Sequence, residues 1–215
     1  MTGQSRILAI TLVCLVGIAG LFASLVVRHP PPALALATGT LLAPARKLSD
    51  FSLIDQQGRR FGSAELRGHW SLLFFGYTNC PDFCPATLST LAAMEKRLRA
   101  EHAQVVPQVI FVSVDAKRDT PAQLAKYVPY FDPQFIGLTA ADQPAVEAVA
   151  KKLGVAVSIQ ASADGNYTVD HSGAIFVLNP DGRVNAILTG PFTVAALLDD
   201  IQRIVAAGAA SARRA

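Results

Sequence analysis

Two cysteines with three residues between them stand in Gly76-Tyr77-Thr78-Asn79-Cys80-Pro81-Asp82-Phe83-Cys84-Pro85. Thiols this close in sequence can cycle between dithiol and disulfide or hold a soft metal ion. A purely structural disulfide is the third use, but closing so short a loop removes little entropy from the unfolded chain. The two prolines bias Cys80 and Cys84, the residues before them, away from the α region. The stretch therefore predicts a loop followed by a helix, with Cys84 near the N-cap and Pro85 at the first helical position. Helix amides would then face a sulfur and lower its pKa, giving the thiolate that attacks disulfides or ligates metal.

The other residues that could do chemistry lie elsewhere in the chain. Of the four histidines, His29 beside the prolines, His69 after Gly68 and His102 at a helix end read as surface or capping groups. His171, in Val169-Asp170-His171-Ser172, reads on its own as a structural histidine. Asp170 is a candidate to orient its ring, although neighbours on a strand point to opposite faces. Asp115 and Arg118 form a candidate docking, loop-ordering or capping pair. Cys14 lies inside an apolar run and reads as a small buried residue.

The elements that would position these groups follow from hydrophobic pattern and punctuation. Trp70 to Phe75 is a short apolar and aromatic run ended by Gly76, the pattern of a buried strand. Leu88, Leu91, Met94 and Leu98 recur at helical spacing, which predicts a helix from about Pro85 to Ala100. Val105 to Val114 is apolar enough for a central strand, and Thr120-Pro121 is an N-cap pair opening a helix to about Tyr130. A strand over Phe135–Leu138 and a helix over Gln143–Leu153 stopped by Gly154 follow. Strands Val155–Ile159 and Tyr167–Val169 flank a turn containing Asp164-Gly165-Asn166. Ala174–Leu178 and Arg183–Leu188 form a hairpin about Asn179-Pro180-Asp181-Gly182, and Thr193 caps a last helix to about Ala207. A first hairpin, Phe51–Asp55 with Arg59–Phe61, opens the domain. Strands alternating with helices make the class α/β.

At 215 residues the chain can hold one domain of ordinary size and an appendage. Ile7 to Val27 is an uncharged run of 21 residues, enough to cross about 30 Å of hydrocarbon as a helix. It is too long for a signal-peptide core, and three prolines separate it from the small residues a peptidase would use, so an uncleaved anchor is the better reading. The division is residues 1–28 as anchor, 29–46 as a Pro/Ala-rich extended tether, 47–207 as the domain and 208–215 as a tail. Two of the 19 basic residues lie in 1–45, which leaves 17 against 16 acids in the rest. A surface so evenly balanced, with no charge run, disfavours nucleic acid as a partner.

Three separated motifs together resemble one family. They are Gly76 to Pro85, Val112-Ser113-Val114-Asp115 with Arg118-Asp119-Thr120-Pro121, and Val169-Asp170-His171-Ser172. They are similar to those of the Sco/SenC proteins, membrane-anchored, thioredoxin-like copper chaperones for the CuA centre of cytochrome c oxidase. The resemblance spans about Lys47 to Val205. It implies a thioredoxin-like fold behind an N-terminal transmembrane helix, copper as Cu(I) or Cu(II), and Cys80, Cys84 and His171 as its ligands. It also implies the copper-bearing oxidase subunit and an upstream copper donor as partners. The domain would face the bacterial periplasm or the mitochondrial intermembrane space. Phe83, where an aliphatic residue is usual, and Ala116, where proline often follows, depart from the pattern without removing a ligand.

Two thiolates and an imidazole suit copper, whereas zinc would want a fourth ligand, for which Asp82 or Asp170 is available. A carrier of this kind need not be an enzyme. The alternative is a thiol-disulfide oxidoreductase using Cys80 and Cys84 to keep the oxidase's copper-binding cysteines reduced, and a peroxidase on the same fold is a third.

Overall fold

Every residue of Ser71–Gly76 is buried, because this strand lies mid-sheet with helices on both faces, the setting in which a continuous apolar run is stable. The computed structural model describes Leu12, Cys14–Ile18, Gly20, residues 34–161 and residues 167–212. The strands are β1 (Gly39–Lys47), β2 (Ser52–Asp55), β3 (Arg60–Gly62), β4 (Ser71–Gly76), β5 (Gln108–Ser113), β6 (Ile136–Thr139), β7 (Val157–Ala161), β8 (Tyr167–His171), β9 (Ile175–Leu178) and β10 (Arg183–Leu188). The helices are α1 (Phe83–Ala100), α2 (Pro121–Tyr127), α3 (Gln143–Leu153) and α4 (Val194–Ala212).

Eight strands form one sheet in the order β1-β10-β9-β4-β5-β6-β2-β3. β4, β5 and β6 are mutually parallel, and β9 runs antiparallel to β4. The core sits on both faces of β4. Leu72 and Phe74 pack with Leu88, Leu91, Met94 and Leu98 of α1 and with Leu197, Ile201 and Ile204 of α4. Leu73 and Phe75 pack with Val146, Val149, Ala150 and Leu153 of α3 on the other side. Each fully buried Leu or Phe in these layers contributes about 1.5–3 kcal/mol.

Thr120 accepts from the Gln123 amide at the start of α2, and Gly154 ends α3 in the left-handed region at φ 77°, both as the sequence predicts. The terminal hairpin closes through the Asn179 side chain, which accepts from the Asp181 and Arg183 amides. β7 and β8 pair with each other as a separate ribbon, and their connecting turn lies outside the described residues.

Several boundaries differ from expectation. Residues 39–46 are strand rather than tether, because β1 pairs antiparallel with β10. The chain divides into Met1–Leu34 and Ala35–Ala215, so the domain begins before residue 47. Residues 208–212, expected in the tail, continue α4. In the anticipated anchor, Leu12, Cys14–Ile18 and Gly20 are helical. Among the described residues no helix is long and apolar enough to cross a membrane, and the rest of that segment lies outside them.

Candidate metal and dithiol site

Topology explains how a histidine 87 residues away reaches the cysteines. The cysteine loop leaves the C-terminal end of β4, and β9, being antiparallel to β4 with Ile175 opposite Phe74, begins at that same end. His171 ends β8 just before β9 and therefore arrives over the loop. Its Nε2 lies 3.6 Å from the Cys84 sulfur. Metal–sulfur and metal–nitrogen bonds of about 2.3 and 2.0 Å at tetrahedral or trigonal angles separate the two donors by about 3.5–3.8 Å. The pair is thus already spaced for one ion.

The imidazole is oriented by backbone rather than by a carboxylate. Nδ1 donates to the Ser172 carbonyl at 3.1 Å, which leaves Nε2 with its lone pair toward the sulfur. Asp170 is exposed and has no part in this contact. Burial lowers the His171 pKa against the opposing pull of the Ser172 carbonyl, which keeps the ring neutral and able to ligate. Phe74, Tyr77 and Phe83 surround it, with ring centroids 6.4, 6.0 and 6.4 Å away.

The cysteines differ from the expected arrangement. α1 begins at Phe83 with Asp82 as its N-cap residue, so Cys84 lies within the first turn and Pro85 is the third helical residue. The Cys84 amide donates to the Cys80 sulfur at 3.4 Å, so the helix start addresses Cys80 and not Cys84. Cys84 is fully buried. Its thiol is pushed well above the ordinary range, first by burial and further by the neighbouring Cys80. The lowered pKa expected for Cys84 is overturned, because desolvation exceeds what one helix turn supplies. Both cysteines are free thiols. Gly76 makes room for Cys84: a Cβ there would stand 2.9 Å from the Cys84 sulfur and 2.6 Å from the Phe111 ring.

Among the described residues no three His, Cys, Asp or Glu side chains already form a closed metal cage. Cys84 and His171 face each other, Cys80 lies one contact away on the loop, and Asp82, a possible fourth ligand, is exposed. His69 and His102 are exposed and separate from the site, as expected, while His29 lies outside the described residues.

The segment after β5 supports both halves of the site. Asp119, fully buried, accepts from Ser113 Oγ at 2.6 Å, Thr78 Oγ1 at 2.6 Å and the Thr78 amide at 3.0 Å. Burial raises its carboxyl, and these bonds oppose the rise. Asp119 was not singled out in sequence; its signal was a carboxylate inside a motif otherwise read as a helix cap. Asp115 pairs with Arg118 and accepts from the Tyr167 hydroxyl at 2.7 Å. The loop-ordering reading of that pair therefore matches the geometry. Burial and the adjoining Asp115 carboxylate push Tyr167 up to about 12.

Comparison with known proteins agrees with this architecture. The family model described as SCO1/SenC matches residues 40–206. A "SCO2-like protein" of Rickettsia felis is 35% identical over 187 residues, covering 85% of this chain and 90% of that one. Arabidopsis thaliana ScoI, solved with copper bound, is 34% identical with a TM-score of 0.69, covering 73% of this chain and 96% of that one. BsSco, described as having a disulfide switch and as a member of the Sco family of cytochrome c oxidase assembly proteins, is 25% identical with a TM-score of 0.59. That match covers 74% of this chain and 94% of BsSco. The α/β fold is accordingly the thioredoxin-like Sco fold.

Proposed function

The chain belongs to the SCO1/SenC family, and from that premise we propose that it carries copper on Cys80, Cys84 and His171 and delivers it to the CuA site of cytochrome c oxidase. The observation that carries the reading is the 3.6 Å approach of His171 Nε2 to the Cys84 sulfur, next to a second free thiol. Soft sulfur donors select Cu(I), the imidazole accepts either oxidation state, and Cys80 would complete a three-coordinate set on turning toward the pair. Copper is cargo here, so the site must release it. A three-donor site with Cys80 half-exposed leaves room for an incoming thiolate or imidazole of the acceptor to replace one ligand at a time. The N-terminal segment would tether the domain on the periplasmic side of a bacterial inner membrane, or its mitochondrial equivalent, where acceptor and copper donor meet.

Metal analysis tests this directly. The reduced protein should bind one copper ion per chain, and oxidation to a Cys80–Cys84 disulfide should abolish binding, because both thiolates are consumed. Equal copper in the two forms would overturn the ligand set.

The second reading is favoured by the two free, adjoining thiols. As a reductase, Cys80 attacks the acceptor's disulfide and displaces one thiolate. Cys84 then resolves the mixed disulfide, so two electrons and two protons pass to the acceptor and a Cys80–Cys84 disulfide remains. The burial of Cys84 suits a resolving thiol and the half-exposure of Cys80 an attacking one.

A further inference from the structure

We propose that Arg118 is a positioning residue for His171, the group that holds the β7–β8 ribbon against the body so that the imidazole faces the cysteine pair. The proposal rests on the copper reading above. Among the described residues the ribbon shares no hydrogen-bonded strand with the main sheet, so contacts other than strand pairing fix its place. On β8, Tyr167, Val169 and His171 share one face while Thr168 and Asp170 are exposed. Val169 is 3% exposed and joins the core. Tyr167, at the start of the strand, is the other anchor, and Arg118 grips it in two ways. Arg118 Nη1 donates to the Tyr167 carbonyl at 3.1 Å, and the guanidinium carbon lies 3.7 Å from the centre of the Tyr167 ring.

The guanidinium is itself held. Its Nε pairs with Asp115, which is buried and receives the Tyr167 hydroxyl, closing a ring of three side chains. Arg118 also lies 5.6 Å from the ring of Tyr77 in the cysteine loop, and that ring stands edge-on to His171. One side chain thus touches both elements that must meet. A lysine would keep the charge but lose the fork and the stacked plane. Five residues of extended strand then convert a loosened Tyr167 into a displaced imidazole, since side-chain direction on a strand follows from its anchored neighbours.

The test uses the full chain with Arg118→Lys, with Arg118→Met paired with Asp115→Asn so that no buried carboxylate is left unpaired, and with His171→Ala. Cu(I) affinity of the reduced proteins, read by competition with a chromophoric chelator, should fall about tenfold on losing the charged hydrogen bond and the stack. In the His171→Ala background the same Arg118 changes should cost nothing more, because their effect passes through the imidazole. In metal-free protein, amide exchange should quicken across residues 157–161 and 167–171 while β4 and β5 stay protected, and the proximity signal between the His171 and Tyr77 rings should weaken. Where an Arg118 variant does not fold, Tyr167→Phe, which removes only the hydroxyl, should shift the same readouts in the same direction by less. Unchanged affinity, or a loss of equal size with and without His171, overturns the proposal. If the wild-type protein binds no copper, the copper reading falls by itself. The exchange and ring-proximity data then decide the role of Arg118, and an unchanged ribbon overturns it.

Discussion

At the level of single residues, the site contrasts two sulfurs. Cys84 is enclosed by Phe74, Phe111 and the helix, and the same burial that raises its pKa makes it a reluctant thiolate until something replaces its proton. In the proposed site a copper ion would do so, because metal binding to a thiol releases the proton and the ion would neutralise the sulfur in a dry setting. His171 separates the two functional readings, since dithiol exchange requires only the sulfurs whereas a three-coordinate metal site requires the imidazole. His171→Ala should weaken copper binding by more than about a hundredfold, beyond the 10–100-fold typical of losing an outer-shell partner. Reduction of a model disulfide by Cys80 and Cys84 should be largely retained. In cells at equal protein level, loss of CuA assembly in this variant supports delivery, and full assembly would transfer the main role to thiol chemistry.

Among the elements, the segment from β5 into α2 does more than link them. Both Asp119 oxygens accept, so Asp119→Ala would leave the Ser113 hydroxyl, the Thr78 hydroxyl and the Thr78 amide without their acceptor. With these buried donors unsatisfied, the variant should lose about 1–3 kcal/mol of stability. Urea unfolding checks this, and a loss below 0.5 kcal/mol would mean that water already serves those groups. Elements with local signals were legible in sequence: the buried run of β4, the Thr120 cap, the Gly154 stop and the Asn179 hairpin each follow from nearest neighbours. β1 was not, because Gly39–Lys47 is punctuated by Ala43-Pro44-Ala45 and acquires strand character only by pairing with β10, about 140 residues on. The start of α1 was misplaced by two residues, since the proline rule constrains Cys84 only weakly once the first turn is fixed by packing. The proposed ligand trio follows only from the family resemblance that its motifs carry. The Asp119 contacts, and those of Arg118 with Tyr167 and Tyr77, depend on three-dimensional closeness and leave no spacing to read.

For the whole molecule, two properties can be read out without copper. The first is orientation: if Met1–Leu34 places Ala35–Ala215 in an oxidising compartment outside the cytoplasm, a membrane-impermeant thiol reagent should label Cys80 in intact, reduced bacterial cells or osmotically opened mitochondria. Cys84, fully buried, should label slowly. Labelling of Cys80 only after membrane lysis would reverse the assignment. The second is a contribution to the dependence of stability on pH that arises far from the cysteines, at the C-terminal half of α1. Glu95 is 2% exposed and contacts Arg99, which also pairs with Asp132 at 2.8 Å and with Gln134 at 2.8 Å. Sharing one guanidinium among several acceptors leaves the buried carboxyl undercompensated, and burial pushes it up to about 7 from an ordinary value of 4.5, against the pull of Arg99. Between those two values the folded state holds a proton that the unfolded chain has released, so stability falls as pH rises through this window. The full span corresponds to a loss on the order of 3 kcal/mol from acid to mildly alkaline solution. Glu95→Gln removes the titrating group while keeping its shape and one hydrogen bond to Arg99. Urea unfolding at pH 5, 6.5 and 8 should therefore show a downward slope in the wild type that is flattened in the variant, with the variant relatively more stable at pH 8. Identical slopes in the two proteins would show that Arg99 holds Glu95 ionised throughout, and the pH dependence would then have to originate elsewhere in the domain.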